Sequence, residues 1–240
     1  MLKRLLDILV ASVLLLLTWP LQFIALLAIY MEDKEWPIFS QPRAAKGGGY
    51  FQIYKMRTMV SDADKHGVDV TSSDQRVTRI GSLLRRCKLD ELPQLWNVLT
   101  GDMSLVGPRP QIKRYVDLYT PAETGLLSVR PGVTDFSSIV FSDQAEILEG
   151  FADPNAAYLE LIRPWKSRLG LFYAANSNVL VDVALIALTA LAVISRPHAL
   201  RGVAWLLEKL HAPKELVAIS LRQTPLVPSA SPDQDEYARY

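Results

Sequence analysis

From Ile8 to Tyr30 the chain runs without a charged side chain, with Lys3, Arg4 and Asp7 just ahead of it. A straight helix of that length reaches roughly 34 Å, enough to cross the hydrocarbon core of a bilayer. Whatever this chain folds into must therefore provide for one long apolar element at its N-terminus. Trp19-Pro20 stands almost at its centre. Proline there removes a backbone donor and crowds the carbonyl of Leu16, so a kink is expected. The run is too long for a secretory signal peptide and lacks a small-residue cleavage site. Two topologies are open from the residues alone: a kinked helix that spans, or a hairpin that enters and leaves by one face. A span with Lys3 and Arg4 inside would place everything after Tyr30 outside the cell.

The 240 residues allow one domain of ordinary size beside the membrane element. A net charge of +1 argues against general nucleic-acid binding. Locally the balance differs, because residues 76–89 hold Arg76, Arg79, Arg85, Arg86 and Lys88 and no acid. A single cysteine, Cys87, excludes an intrachain disulfide and fits a reducing compartment. His66, His198 and His211 lack metal-ligand spacing, so zinc is not expected.

Aromatic and β-branched residues predict strands at 37–41 and 50–54, joined through Gly47-Gly48-Gly49 as a β-hairpin. The polar stretch 61–77 reads as a mobile loop. Ile80, Leu83 and Leu84 predict a short helix over 79–87, and Leu89, Leu92, Leu95, Trp96 and Leu99 a second one beginning near Leu89. Asp90 and Glu91 would then sit at its N-terminus, where the dipole favours carboxylates. Residues 155–176 have helical spacing and carry Arg163, Lys166 and Arg168. The 16 residues Val179–Ile194 are apolar apart from Asp182, short for a span and suited to an interfacial or core helix. Trp205-Leu206-Leu207 adds a further candidate interfacial contact. The tail from Ala212, with four prolines, is expected to be disordered. The fold class is α+β and mainly helical, divided into a membrane element at 1–31, a catalytic domain at 32–211 and a tail at 212–240.

The chemistry concentrates at 85–110. Asp90 and Glu91 are adjacent, come just after Arg85, Arg86 and Lys88, and precede Arg109 in a Gly-Pro-Arg-Pro turn. Paired carboxylates among cations suit a site for a phosphorylated substrate and a divalent metal. A solvated helix face would instead spread its charges at i,i+4. Asp90 can act as a nucleophile on phosphorus. Glu91 can reach Mg²⁺, which commonly takes one or two protein carboxylates and otherwise phosphate and water oxygens. The bland alternative is a surface pair or a helix cap.

Four blocks carry a family resemblance: Lys55-Met56-Arg57-Thr58-Met59, the Asp-Glu-Leu-Pro-Gln-Leu-Trp-Asn-Val-Leu run from Asp90, the Gly-Asp-Met-Ser-Leu-Val-Gly-Pro-Arg-Pro run from Gly101, and Arg130-Pro131-Gly132-Val133-Thr134. With the apolar N-terminus they resemble the bacterial sugar transferases, the monotopic phosphoglycosyl transferases. The resemblance covers residues 1–135 and implies a specific reaction. A phosphosugar passes from a UDP-sugar to polyprenyl (undecaprenyl) phosphate through a covalent aspartyl intermediate, with release of UMP, as the first membrane step of surface glycan assembly. It implies Asp90 and Glu91 as the catalytic dyad, Glu91 at the Mg²⁺, and Arg85, Arg109, Lys55, Arg57 and Arg130 as phosphate binders. It also implies a re-entrant helix-break-helix at Trp19-Pro20, location on the cytoplasmic face of the inner membrane, and room for a homodimer. One departure stands out: after Arg-Pro-Gly-Val-Thr the family commonly continues Gly-Trp-Ala-Gln-Val, whereas this chain has Asp135-Phe136-Ser137-Ser138-Ile139. That weakens any inference about the sugar. The polytopic class of such transferases needs many spans and is excluded. A non-catalytic membrane-tethered scaffold of polysaccharide assembly is the alternative from another class.

Overall fold

The computed structural model describes residues 2–61, 63, 74–238 and 240. The loop expected over 61–77 thus lies mostly outside the described residues. The helices are α1 (Leu2–Asp33), α2 (Arg79–Arg86), α3 (Gln94–Thr100), α4 (Lys113–Val116), α5 (Phe136–Val140), α6 (Gln144–Leu148), α7 (Pro154–Ala157), α8 (Arg163–Asn176), α9 (Val179–Ile194), α10 (Arg196–Lys209), α11 (Lys214–Leu221) and α12 (Gln234–Tyr237). The strands are β1 (Ile38–Ala44), β2 (Tyr50–Met56), β3 (Ser104–Val106) and β4 (Gly132–Thr134). The chain is mainly helical, with two small two-stranded sheets.

Helix α1 is continuous through Pro20, so the break expected at Trp19-Pro20 does not divide it. One proline costs a single backbone bond, and the run of leucines on both sides favours carrying the helix on. At 32 residues α1 is about 48 Å long, and it is apolar enough to cross a bilayer. Its inward stripe is narrow: Asp7 and Ala11 are buried near one end, Ala25 and Ile29 near the other. Between them the apolar side chains face outward, with Leu16, Leu17, Trp19, Phe23 and Ile24 exposed. Such a row of exposed large apolar groups needs a partner other than water.

Both ends of α1 are fixed to the same domain. Near the start, Arg4 donates to Val98 O (2.5 Å) and Leu99 O (2.8 Å), carbonyls in the last turn of α3. Asp7 accepts from Ser104 Oγ and Leu105 N, both at 3.0 Å. Lys3 pairs with Asp182 of α9 at 2.7 Å. At the other end Arg57 grips both oxygens of Asp33 at 2.6 Å, and Ala25 and Ile29 pack with Met56 and Leu84.

The expected hairpin forms. β1 and β2 pair antiparallel from Ile38↔Met56 to Ala44↔Tyr50, turned by Gly47 and Gly48 at φ 82° and 89°, values that suit glycine. The second sheet lies outside the expected elements, its strands being only three residues each. In it β3 and β4 run parallel, Ser104 opposite Gly132 and Val106 opposite Thr134. A Cβ on Gly132 would lie 2.0 Å from Gly107 N, so the Gly-Pro-Arg-Pro and Arg-Pro-Gly turns can press backbone to backbone only because both carry glycine there.

The tail is folded rather than disordered. Leu216 and Ile219 of α11 are buried in the main core. Farther on, Glu236 pairs with Arg168, and Tyr240 meets Phe172 edge-on with ring centroids 5.9 Å apart. Pro213 caps α11, the other three prolines lie in irregular chain, and the few apolar groups among them suffice because the domain supplies the rest of each contact.

Candidate active site

Asp90 and Glu91 lie in a 3₁₀ turn, Leu89–Glu91, just ahead of α3 rather than in its first turn. Pro93 precedes Gln94 and lacks the N–H that would continue the earlier helical ladder, which delays the helix by one turn. Lys88, at φ 57°, reverses the chain out of α2 so that the turn faces β2. Asn97 then clamps α3 to the hairpin: its Nδ2 donates to Gln52 O at 2.7 Å and its Oδ1 accepts from Tyr54 N at 3.0 Å. That clamp sets Lys55, the next residue along β2, against Glu91.

Glu91 is the hub of the charges. Lys55 Nζ donates to its Oε1 at 3.1 Å. Arg109 takes it in a fork, reaching Oε1 through one nitrogen and Oε2 through the other at 3.2 Å. Burial alone would push the Glu91 carboxyl up, but Arg109 and Lys55 outweigh it and hold the group well below the usual range. Glu91 is ionised. Asp90 beside it differs: it is 8% exposed, and its carboxylate makes no hydrogen bond with any described residue. Burial, then the neighbouring Glu91 charge, raise its pKa, against the pull of Lys55, Arg85 and Arg109. Arg85 is held by Thr58, Nε to Oγ1 at 2.7 Å. That contact depends on Gly81, where a Cβ would fall 2.1 Å from Thr58 O.

The structure thus gathers Lys55, Arg85, Asp90, Glu91 and Arg109. The other two expected phosphate binders have protein partners of their own. Arg57 is committed to Asp33 and to the backbone of Trp36 (2.8 Å), so it anchors α1. Arg130 Nε donates to Gly101 O at 3.1 Å, at the C-terminal end of α3. Both are cations in family-like blocks, and only the folded chain shows which protein groups each one meets.

Asn97, whose side chain orders the site, carries no chemical signal of its own in the sequence, although it sits inside the same block as the dyad. Gln94, one turn after Asp90, is fully buried and has no partner for either amide atom; such a group offers hydrogen bonds to water or a ligand. Lys166 is, in sequence, only one of three cations on a helix. In the fold it lines a cavity with Arg109 and Asp135.

A divalent ion can be tested against these donors. No cluster of three metal-binding side chains occurs among the described residues, and Mg²⁺ commonly takes only one or two protein carboxylates. On Glu91, Oε1 serves both Lys55 and Arg109, while Oε2 serves Arg109 alone and keeps a free lone pair. Single-oxygen ligation through Oε2 fits.

The sequence profile described as bacterial sugar transferase matches residues 1–196, the span that carries α1, both sheets and all the charged groups above. The chain belongs to that family. Among its relatives is the UDP-glucose:undecaprenyl-phosphate glucose-1-phosphate transferase of Caulobacter vibrioides, 41% identical over 170 residues, covering 68% of this chain and 63% of that protein. The Escherichia coli protein of the same name is 38% identical over 170 residues, covering 69% of this chain and 37% of its own. A putative undecaprenyl-phosphate N-acetylgalactosaminyl 1-phosphate transferase of Bacillus subtilis is 46% identical over 110 residues, 45% of this chain and 62% of that one. The chain thus spans between about a third and two thirds of the length of these curated relatives. Their names divide between glucose and N-acetylgalactosamine, so family membership leaves the sugar open.

Proposed function

We propose that this bacterial sugar transferase moves a phosphosugar from a UDP-sugar to undecaprenyl phosphate by a two-step transfer through Asp90. The observation that carries the reading is the contrast within the dyad: Glu91 has two cationic partners, while buried Asp90 has none. A buried carboxylate without hydrogen bonds is costly to keep, and here it sits among cations that would seat a phosphate. In the first step a carboxylate oxygen of Asp90 attacks the β-phosphorus, the bond to the bridging oxygen breaks, and UMP leaves. An oxygen of the lipid phosphate then attacks the same phosphorus and displaces the carboxylate, which restores Asp90. Arg109 and Arg85 supply fixed positive charge where negative charge builds on phosphorus. Mg²⁺, held through Glu91, would offset diphosphate charge.

The lipid substrate calls for a site at a membrane surface. Two ends of one helix held on one domain cannot lie on opposite sides of a bilayer while Arg4, Asp7 and Asp33 keep their partners. This supports a monotopic arrangement in which the unbroken α1 lies along one face of the bilayer with its exposed apolar middle sunk into one leaflet, and the domain sits on that same, cytoplasmic, face. Impermeant thiol labelling of Ser40→Cys in intact cells should give no signal until the membrane is opened. Labelling from outside would overturn this topology. For the reaction, intact-protein mass spectrometry with a panel of UDP-sugars and no acceptor should show a phosphosugar adduct on the wild type and none on Asp90→Asn. An adduct on another residue would refute the mechanism, and the UDP-sugar that gives it would name the sugar.

A further inference from the structure

Glu91 occupies one side of Arg109. The other side faces a small cavity lined also by Asp135, Ser137, Tyr158 and Lys166. Asp135 and Ser137 come from the segment whose sequence departs from the common family text. Lys166 enters from α8, its Nζ donating to the neutral Gln144 Oε1 at 2.5 Å and lying 5.8 Å from the centre of the Tyr158 ring. The other two cations of that helix are paired, Arg163 with Glu123 and Arg168 with Glu236. Lys166 has no carboxylate within ion-pair distance among the described residues. The nearest candidate, Asp135, spends its oxygens on Ser137 Oγ, Ser138 N and Ser138 Oγ at 2.6–2.9 Å.

Three cations, Arg109, Arg163 and Lys166, therefore line one partly enclosed space; Arg109 is paired with Glu91 and Arg163 with Glu123, and Lys166 lacks a counter-ion among the described residues. The arrangement strains the charge: burial, then repulsion from Arg109, draw the Lys166 ammonium down to about 8. An anion between Lys166 and Arg109 would give Lys166 the counter-charge it lacks. The backbone is also unusual here. A π turn at Tyr158–Ile162 leads directly into α8, and such turns recur at functional sites because the extra residue re-aims the side chains of the next helical turn.

We propose that Lys166 is a second phosphate-binding cation of the site, closing on a phosphate from α8 while Arg109 holds it from the Gly-Pro-Arg-Pro turn. The inference deepens the transfer reading and rests on it for the two sources of that phosphate, the nucleoside diphosphate of the donor and the phosphate of the lipid acceptor. Both present the same anionic oxygens. Their binding can be measured apart from any chemistry on Asp90.

Calorimetric titration of the full chain in detergent with UDP, and separately with a short-chain polyprenyl phosphate, tests it. Lys166→Gln should weaken one of the two by on the order of 10- to 100-fold, the loss of one charge-assisted hydrogen bond, and Lys166→Arg should recover most of it. Loss confined to UDP assigns the donor phosphate; loss confined to the lipid assigns the acceptor. Melting of each variant is followed in parallel, with Lys166→Met, which keeps the aliphatic stem, as the stand-in if the glutamine variant does not fold. Affinities for both probes within twofold of wild type in a folded neutral variant would overturn the proposal. So would an arginine variant as impaired as the neutral ones, since that marks a packing role. Because these are equilibrium measurements, an active Asp90→Asn enzyme would refute the transfer mechanism and leave this result standing.

Discussion

Asp90 and Glu123 are both buried carboxylates, and their surroundings are opposite. Glu123, completely buried, accepts from Thr120 N (2.9 Å), Arg163 Nη2 (2.6 Å) and Ser167 Oγ (2.5 Å). Every charge there meets a partner, and the group ties the 3₁₀ segment at Glu123–Ser128 to α8. Asp90, 8% exposed, keeps some contact with solvent and accepts no hydrogen bond from any described residue. A buried charge that is fully hydrogen-bonded holds structure together; one left bare costs stability and has to be explained by what binds there. The comparison separates scaffold from site more sharply than composition does, since the two regions carry similar charges.

The largest effect expected from breaking this contrast is at Asp90. Asp90→Asn should reduce adduct formation and turnover to background, because an amide cannot displace UMP, and any measurable adduct at residue 90 would sink the assignment. Next comes Glu123→Gln. It removes the counter-charge of buried Arg163 and should cost about 3 kcal/mol, seen as a fall in melting temperature on the order of 10 °C. Turnover per folded molecule should stay near wild type. If activity fell while the melting point held, Glu123 would belong to the site and the comparison would fail.

Arg109→Ala should be milder, weakening UDP binding by on the order of 10- to 100-fold through loss of a charge-assisted fork. It also frees Glu91, so Asp90 would feel a less screened neighbour. The smallest effect concerns Asp90 and stability. Its folded-state pKa is raised, so the folded protein gains from protonating it, and that gain is lost as pH rises through the folded value. Asp90→Asn should therefore melt no lower than wild type at neutral pH without divalent cations, and the two should converge in acid. A clear destabilisation at neutral pH would mean that Asp90 has a structural partner after all.

Sequence by itself determined much of this molecule. The uncharged run from Ile8 marked α1, aromatic and β-branched residues about three glycines marked the hairpin, and short-range apolar spacing marked α2, α3, α8 and α9. These are local signals, written within a few residues of one another, and the dense block from Asp90 to Pro110 made the site legible in the same way. Tertiary structure decided the rest. Whether Arg57 or Arg109 meets the dyad depends on Asp33, 24 residues away from Arg57 along the chain, and on Gly132 pressing against Gly107. Of the three cations of α8, Lys166 is left without a carboxylate partner, while Glu123 neutralises Arg163, which lines the same cavity, and Glu236 neutralises Arg168. The proline-rich tail folds because α8 offers it Arg168 and Phe172. A charge's role is set by which opposite charge or hydrogen-bond donor lies within about 4 Å, and that is a property of the folded chain rather than of any window of its sequence.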